Sequence, residues 1–265
     1  MCATPIGNLD DVTLRVLAEL RDADVVLAED TRHTRGLLER HGIRAKLVSY
    51  HEHNEASRAA ELVPRLLAGE RMALVTDAGL PGISDPGVRL VRAAREAGVE
   101  VTVLPGPSAV ETALVASGLG SDRYAFIGFL PRRAGELATL WQEVLAWTWP
   151  VVAFESPQRL PASLRALAAA APSRPVAVCR ELTKRFEEVV SGSASEVAAR
   201  FAEPPKGEIT LVVGAGGAGV SSSRADEARA AVSELVASGT PRRTAADVVA
   251  RLTDMSKNDL YRSTL

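Results

Sequence analysis

Apolar and polar positions alternate in two rhythms along the first 105 residues. Helical spacing marks TLRVLAELRDA (13–23), TRGLLERHG (34–42), EASRAAELVPRLLAG (55–69) and GVRLVRAAREAG (87–98). Short apolar runs mark strands at DVVLAE (24–29), KLVSYH (46–51), RMALVTD (71–77) and VEVTVLP (99–105). Pro64 is expected to break the third helix late, and Gly42 to stop the second. Strands alternating with helices imply βαβ units and a largely parallel sheet, with ligands beyond the carboxyl ends of the strands. MCATPIGN leaves only about three residues for a first strand before its turn, which is short for a strand.

Beyond GPSAVETALVASGL (106–119) the texture changes. YAFIGFLP, VVAFES, PVAVCREL, EEVVSG and EITLVVGAG read as strands. ELATLWQEVLAW, ASLRALAAAA and SEVAARFAE read as helices. The fold class is therefore α/β, as two α/β domains: residues 1–118, and residues 119–214 with strands of mixed direction. The composition of residues 215–224 reads as a flexible linker. A helical tail follows over 225–265, with Thr244 and Ser256 as expected N-caps.

Composition narrows the class. The chain has 265 residues, 46% hydrophobic and 24% charged, enough for a sizeable core. A net charge of −2 gives no overall pull toward nucleic acid, so RNA binding would need a local patch. Only four of the 31 cationic residues are lysine. Cys2 and Cys179 form no disulfide or zinc pattern. No signal peptide and no apolar run of about 18 residues is seen, so a cytoplasmic location and no membrane association are expected.

The chemistry concentrates at strand ends. In VTDAGLPGISDPG, Asp77 is placed to bond a ribose hydroxyl or an amine. Gly79 and Gly82 let the backbone approach a ligand closely, and two prolines stiffen the loop. Asp85 is expected to cap a helix starting at Pro86, leaving residues 77–84 without a capping role. This loop is neither a Walker loop nor a GxGxxG fingerprint. VLPGPSAVETAL repeats the design, with Ser108 as the expected cap. AEDTRHTR, YHEHNE, ESPQRL, CRELTKRFEE and KGEITLVV put charged residues at other strand ends. A metal on His51 and His53 is conceivable, but a solvated strand end with Asn54 capping the next helix is favoured, so no metal is expected.

Taken in order, ATPIGNLDDVTLRVL, AEDTRHTRGLL, YHEHNE, VTDAGLPGISDPG, LPGPSA, FIGFLPRR, ESPQRL, CRELTKRFEE and KGEITLVV resemble the ribosomal RNA small subunit methyltransferase I family of the tetrapyrrole-methylase superfamily. The resemblance implies a two-domain enzyme, usually a homodimer, binding S-adenosylmethionine between its domains. It implies 2′-O-methylation of a decoding-centre cytidine of 16S rRNA, conventionally position 1402. Carried over residue by residue, cofactor contacts fall on Pro5, Gly7, Asp77, Ala78, Gly79, Pro81, Ile83, Ser84, Pro105, Gly106, Ser108, Ala109, Glu155, Lys206 and Glu208. The tail, in SKNDLYRSTL, resembles a helical piece that contacts RNA. Leu80 stands where the family usually has threonine.

Methyl transfer to a ribose hydroxyl needs alignment and a destination for a weakly acidic proton. Glu29, His51 and Lys184 are the candidate catalytic groups. A neutral lysine beside Arg180 and Arg185 could be the base, while phosphate binding is the favoured role for Lys184. Arg32, Arg132, Arg133, Arg159 and Arg180 are expected to meet RNA phosphates. C-methylation of a tetrapyrrole and a non-enzymatic ribosome-assembly role are the competing readings. The elaborate loops speak against the second.

Overall fold

A computed structural model describes residues 1–216, 218–253 and 255–262, with residues 218–227 described as backbone alone. The first unit holds a parallel sheet of β1 (Val25–Ala28), β2 (Leu47–Ser49) and β3 (Met72–Val75), in the order β2-β1-β3. Side chains alternate along a strand, so β1 serves two cores. Val26 and Ala28 face α1 (Leu14–Asp22) and α2 (Thr31–Arg40), packing with Val16, Leu20, Leu37 and Leu38. Val25 and Leu27 face α3 (Glu55–Leu67) and α4 (Val88–Glu96), packing with Ala59, Leu62 and Leu90. A sheet covered on both faces explains why its strands read as continuous apolar runs.

Residues 1–4 extend this sheet. The Cys2 amide donates to the Leu74 carbonyl at 2.9 Å, and the Ala3 and Leu104 amides bond across to Leu104 and Met1. VEVTVLP is therefore not the expected strand: only Leu104 bridges, parallel to Cys2, because its partner segment is so short. Pro64 does not break α3 either. The helix runs one further turn to Leu67, the Ala68 amide closing on the Pro64 carbonyl.

α5 (Ala109–Ala116) precedes the expected domain boundary yet packs on the second sheet. Val110, Ala113 and Leu114 pack with Val152, Ala177, Cys179 and Val212, and with Ile6. That sheet comprises β4 (Ala125–Phe129), β5 (Val151–Glu155), β6 (Pro175–Arg180), β7 (Glu188–Ser193) and β8 (Ile209–Val213). Its order is β4-β5-β8-β6-β7, parallel between β4 and β5 and antiparallel elsewhere, the mixed sheet expected. α6 (Ala134–Leu145), α7 (Leu160–Ala170) and α8 (Ala194–Arg200) bury Trp141, Leu164 and Val197 against its other face.

The tail holds α9 (Ala218–Ala237), α10 (Arg242–Thr253) and α11 (Lys257–Arg262), joined around Val232, Ala246, Val249 and Leu260. α9 begins inside the stretch expected as a linker, which is helical from Ala218 on; Gly217 lies outside the described residues. Thr244 is not the cap of α10: the helix starts at Arg242, and the Thr244 amide already bonds the Pro241 carbonyl. Ser256 does cap α11, its hydroxyl accepting from the Asp259 amide at 3.4 Å. Among the described residues, no helix is long and apolar enough to cross a membrane.

Candidate active site

The carboxyl ends of β3 and β5, the amino end of the antiparallel β8 and the loop after Leu104 open onto one cleft of about 900 Å³ between the two sheets. A second cavity, of about 610 Å³, lies toward the amino end of β3, around Arg71 and Met72. Only the cleft gathers strand-end loops, where open α/β sheets place ligands. Within it lie Asp77, Ala78, Gly79, Ile83 and Ser84 of the first loop, and Pro105, Gly106, Ser108 and Ala109 of the second. Glu29, Glu155, Glu208 and Leu80 also line it. Pro5, Gly7, Pro81 and Lys206 do not, although Ile6 does.

Backbone conformation aims the first loop. Gly79, Gly82 and Gly87 have φ of 77°, 87° and 140°, and Ser84, which has a side chain, sits at 61°. A non-glycine residue there costs of order 1 kcal/mol, which the surrounding contacts must offset. The N-terminal turn clasps the loop: Thr4 and Gly79 exchange amide–carbonyl bonds at 2.8 and 3.1 Å, and the Thr4 hydroxyl donates to the Thr76 carbonyl at 3.0 Å. Gly106 lies so close to Ala3 that a Cβ would come within 2.8 Å of the alanine methyl. Thus Pro5 and Gly7 belong to the frame behind the cleft rather than to its lining.

Asp85 is not a helix cap. α4 starts at Val88 with Gly87 in the cap position, and the turn at Ser84 and Gly87 carries Asp85 into the cleft. There it meets two other acids. Burial, then the charges of Glu29 and Asp77, push the Asp85 carboxyl up to about 7; the Thr76 hydroxyl is its opposing hydrogen-bond partner. Burial and Asp77 also raise Glu29, against the Asp77 amide bond and the pull of His51. Asp77 itself accepts the Asp30 amide at 3.1 Å. Three carboxylates share one wall, and no counter-cation of theirs lines the cleft among the described residues.

Ser108 occupies the cap position of α5, but its hydroxyl donates to the Glu111 carboxylate instead of capping. Tyr124 donates to the other Glu111 oxygen at 2.6 Å. These partners hold Glu111 below the usual carboxylate range against the opposing effect of its burial. Glu111 lines the cleft, as do Phe129 and Phe154, whose rings meet edge to face at 5.4 Å. Sequence reading missed all three. The alternation of β5 could have shown Phe154, but the Glu111–Tyr124 contact joins residues 13 positions apart across two elements.

The catalytic candidates separate. Glu29 faces the cleft. His51 stands outside the lining: its Nε2 is 3.2 Å from the Asn54 amide nitrogen, its buried Nδ1 has no partner among the described residues, and its ring packs edge to face on His53 at 5.9 Å. Asn54 precedes α3 as expected, yet its side chain accepts the His51 amide instead of capping the helix. Lys184 is not a neutral amine. Burial works against its charge, but Glu181 at 2.9 Å and Glu208 at 3.0 Å outweigh it and hold the ammonium above its ordinary value.

The arginines separate too. Arg159 is held within the protein. Its guanidinium pairs with Glu155 at 2.5 Å, a side chain with no exposure, and donates to the Leu130 and Pro131 carbonyls. Glu155 also accepts from Ser163 and from the Ser156 amide, so its carboxylate is engaged within the protein. Arg180 pairs with Glu188 at 2.9 Å and donates to the Lys206 carbonyl. Arg32 is 86% exposed on Asp30, Arg133 is 84% exposed on Glu136, and Arg132 is exposed beside it. These three remain presented to solvent.

Comparison with known proteins bears on this cleft. The model of the tetrapyrrole (corrin/porphyrin) methylases matches residues 2–198. A protein of Mesorhizobium japonicum named ribosomal RNA small subunit methyltransferase I is 44% identical, over 100% of this chain and 90% of its own length. One of the same name from Synechocystis sp. is 40% identical, over 100% of this chain and 96% of its own. The crystal structure of uroporphyrin-III-C-methyltransferase from Thermus thermophilus superposes with a TM-score of 0.56 at 23% identity, covering 80% of this chain and 92% of that one. This last likeness concerns the fold alone.

Proposed function

For a chain that belongs to the ribosomal RNA small subunit methyltransferase I family of tetrapyrrole methylases, we propose transfer of a methyl group from S-adenosylmethionine to ribosomal RNA. The acceptor in this reading is the ribose 2′-oxygen of the 16S decoding-centre cytidine conventionally numbered 1402. The observation that carries it is the cleft: two glycine-proline loops of the first unit facing the open ends of β5 and β8, with an acidic wall and no lysine or arginine in its lining among the described residues.

The residues present fit that cofactor. S-adenosylmethionine supplies an electrophilic methyl group on a cationic sulfonium. The acids Glu29, Asp77 and Asp85 make a negative field that favours such a cation. Ile6, Ile83 and Leu182 offer apolar surface for a flat base, and Asp77 is placed for a hydroxyl or amine. Leu80 presents an apolar side chain to the cleft at the position of the family's threonine. Arg32, Arg132 and Arg133 supply the local positive patch that the net charge lacks. The same reading expects a homodimer in the cytoplasm and RNA contact by the helical tail.

Calorimetry with S-adenosylmethionine, followed by ribose-methylation mapping of small-subunit RNA after incubation, tests it. Binding with one new 2′-O-methyl at the decoding centre is expected. Transfer to a porphyrinoid instead of RNA would replace this reading with tetrapyrrole C-methylation, and absence of cofactor binding would end both.

A further inference from the structure

We propose that Asp85 is the proton acceptor of the transfer step, a reading that rests on the function above and deepens it. The ribose 2′-oxygen forms its bond to the methyl carbon while the electron pair of the broken carbon–sulfur bond stays on sulfur. The O–H electrons remain on oxygen, and the proton passes to the Asp85 carboxylate and then to solvent.

The assignment follows from what each cleft acid is already doing. Glu155 is wholly buried and engaged by Arg159, Ser163 and the Ser156 amide. Glu208 pairs with Lys184, and Glu111 accepts from Ser108 and Tyr124. Asp77 accepts the Asp30 amide, and Glu29 accepts the Asp77 amide. Asp85 is turned into the same cavity by residues of positive φ and has a hydroxyl, Thr76, as its partner.

Like charges in one low-dielectric wall cannot all ionise freely, and burial with the charges of Glu29 and Asp77 holds the Asp85 carboxyl up to about 7. The groups acting on it are Glu29 from the end of β1 and Asp77 from the end of β3. His51 acts in turn on Glu29, and Arg32 pairs in charge with Asp77. A cationic cofactor in this cavity favours the ionised form. Asp85 thus becomes a base when the methyl donor is present, and cofactor binding is coupled to proton release.

The experiment combines calorimetry and single-turnover kinetics on the full chain and on Asp85→Asn. At about pH 6.5, repeating the titration in buffers of different ionisation enthalpy should show proton release on S-adenosylmethionine binding to the unaltered protein and none in Asp85→Asn. At that pH Asp85→Asn should lose up to about tenfold in cofactor affinity, the share of one carboxylate in the negative field, yet lose roughly 10²–10⁴-fold in transfer to small-subunit RNA at saturating cofactor, with the acidic limb of its pH profile gone. Equal proton release in both, transfer retained within about fivefold, or affinity falling in step with rate would overturn the assignment. An unaltered protein that binds cofactor but methylates no RNA would instead overturn the function itself, and the proposal with it. Should Asp85→Asn not fold, the unaltered protein carries the test. Cofactor affinity must rise with pH to about 7 and then level, and a flat affinity from about 5 to 8 overturns the proposal.

Discussion

A Cβ on Gly7 would stand 2.6 Å from the Cγ of Lys184, so the N-terminal turn of the first unit rests directly on a loop of the second. The Asn8 amide completes this contact by donating to the Thr183 hydroxyl at 3.0 Å. Lys184 therefore has two neighbours to satisfy: the acids that hold its head and the glycine that admits its stem.

Gly7→Ala should push these two segments apart. The neighbours include the Leu182 carbonyl at 2.9 Å, which cannot swing away as a side-chain end could. We expect a loss of about 1–3 kcal/mol in urea unfolding and weaker cofactor binding from a widened cleft, although Gly7 does not line it. Unchanged stability would mean that the contact relaxes without cost.

Lys184→Arg distinguishes an anchored cation from a base. Glu181 and Glu208 want a positive partner, and arginine keeps that charge while being unable to give up its proton. Single-turnover transfer within about tenfold of the unaltered rate is expected, since only the geometry of the pair changes. A loss of roughly 10³-fold or more at constant cofactor affinity would restore Lys184 as the base.

Arg159 and Arg132 should respond to different measurements. Glu155→Gln leaves the Arg159 guanidinium, 28% exposed, facing a neutral group, and should cost about 2–3 kcal/mol in denaturant unfolding. Arg132→Ala should leave stability within about 0.5 kcal/mol, because nothing is packed on an exposed side chain. Its effect belongs in RNA binding, where the slope of log affinity against log salt should fall by about one. A salt slope unaltered in Arg132→Ala would remove that residue from the interface.

Asp85 should make the cofactor-free fold lose stability as pH rises. The unfolded carboxyl titrates near 3.8 and the folded one at about 7. Between those values the folded chain holds a proton that the unfolded chain has released, so folding is favoured at the acidic end and the advantage is lost on the way to neutrality. The full shift corresponds to roughly 4 kcal/mol, which solvent in the cleft reduces to about 2 kcal/mol. The stability of Asp85→Asn relative to the unaltered protein should therefore improve between about pH 5 and pH 8 in urea titrations. A difference independent of pH would show that Asp85 is ionised throughout.

Local pattern made most elements legible. The two faces of β1, the helices that cover them and the placement of both glycine-proline loops follow from periodicities that act within a few residues. Three places that local pattern left unresolved share one cause, which is competition among partners that only the folded chain brings together. VEVTVLP has strand composition, but only Leu104 finds a pairing partner. Asp85 looks like a cap until Gly87 delays the helix and Ser84 turns the carboxylate inward. Arg159 looks like a phosphate ligand until the buried Glu155, four residues earlier, claims it. Charge at a strand end was readable, but which charges were already neutralised was not, because that depends on side chains brought together by folding.

The clasp of residues 1–8 has a consequence for how the molecule forms. Thr4 bonds a carbonyl 72 positions away, and Asn8 a hydroxyl 175 positions away. Contacts of that span carry a large loop-closure cost and come late, after each unit has condensed around its own sheet. The cleft is then a product of the last folding step rather than of either half. A chain stalled just before it would have native helices and sheets, unable to bind cofactor, with the apolar lining of the cleft still exposed to aggregation.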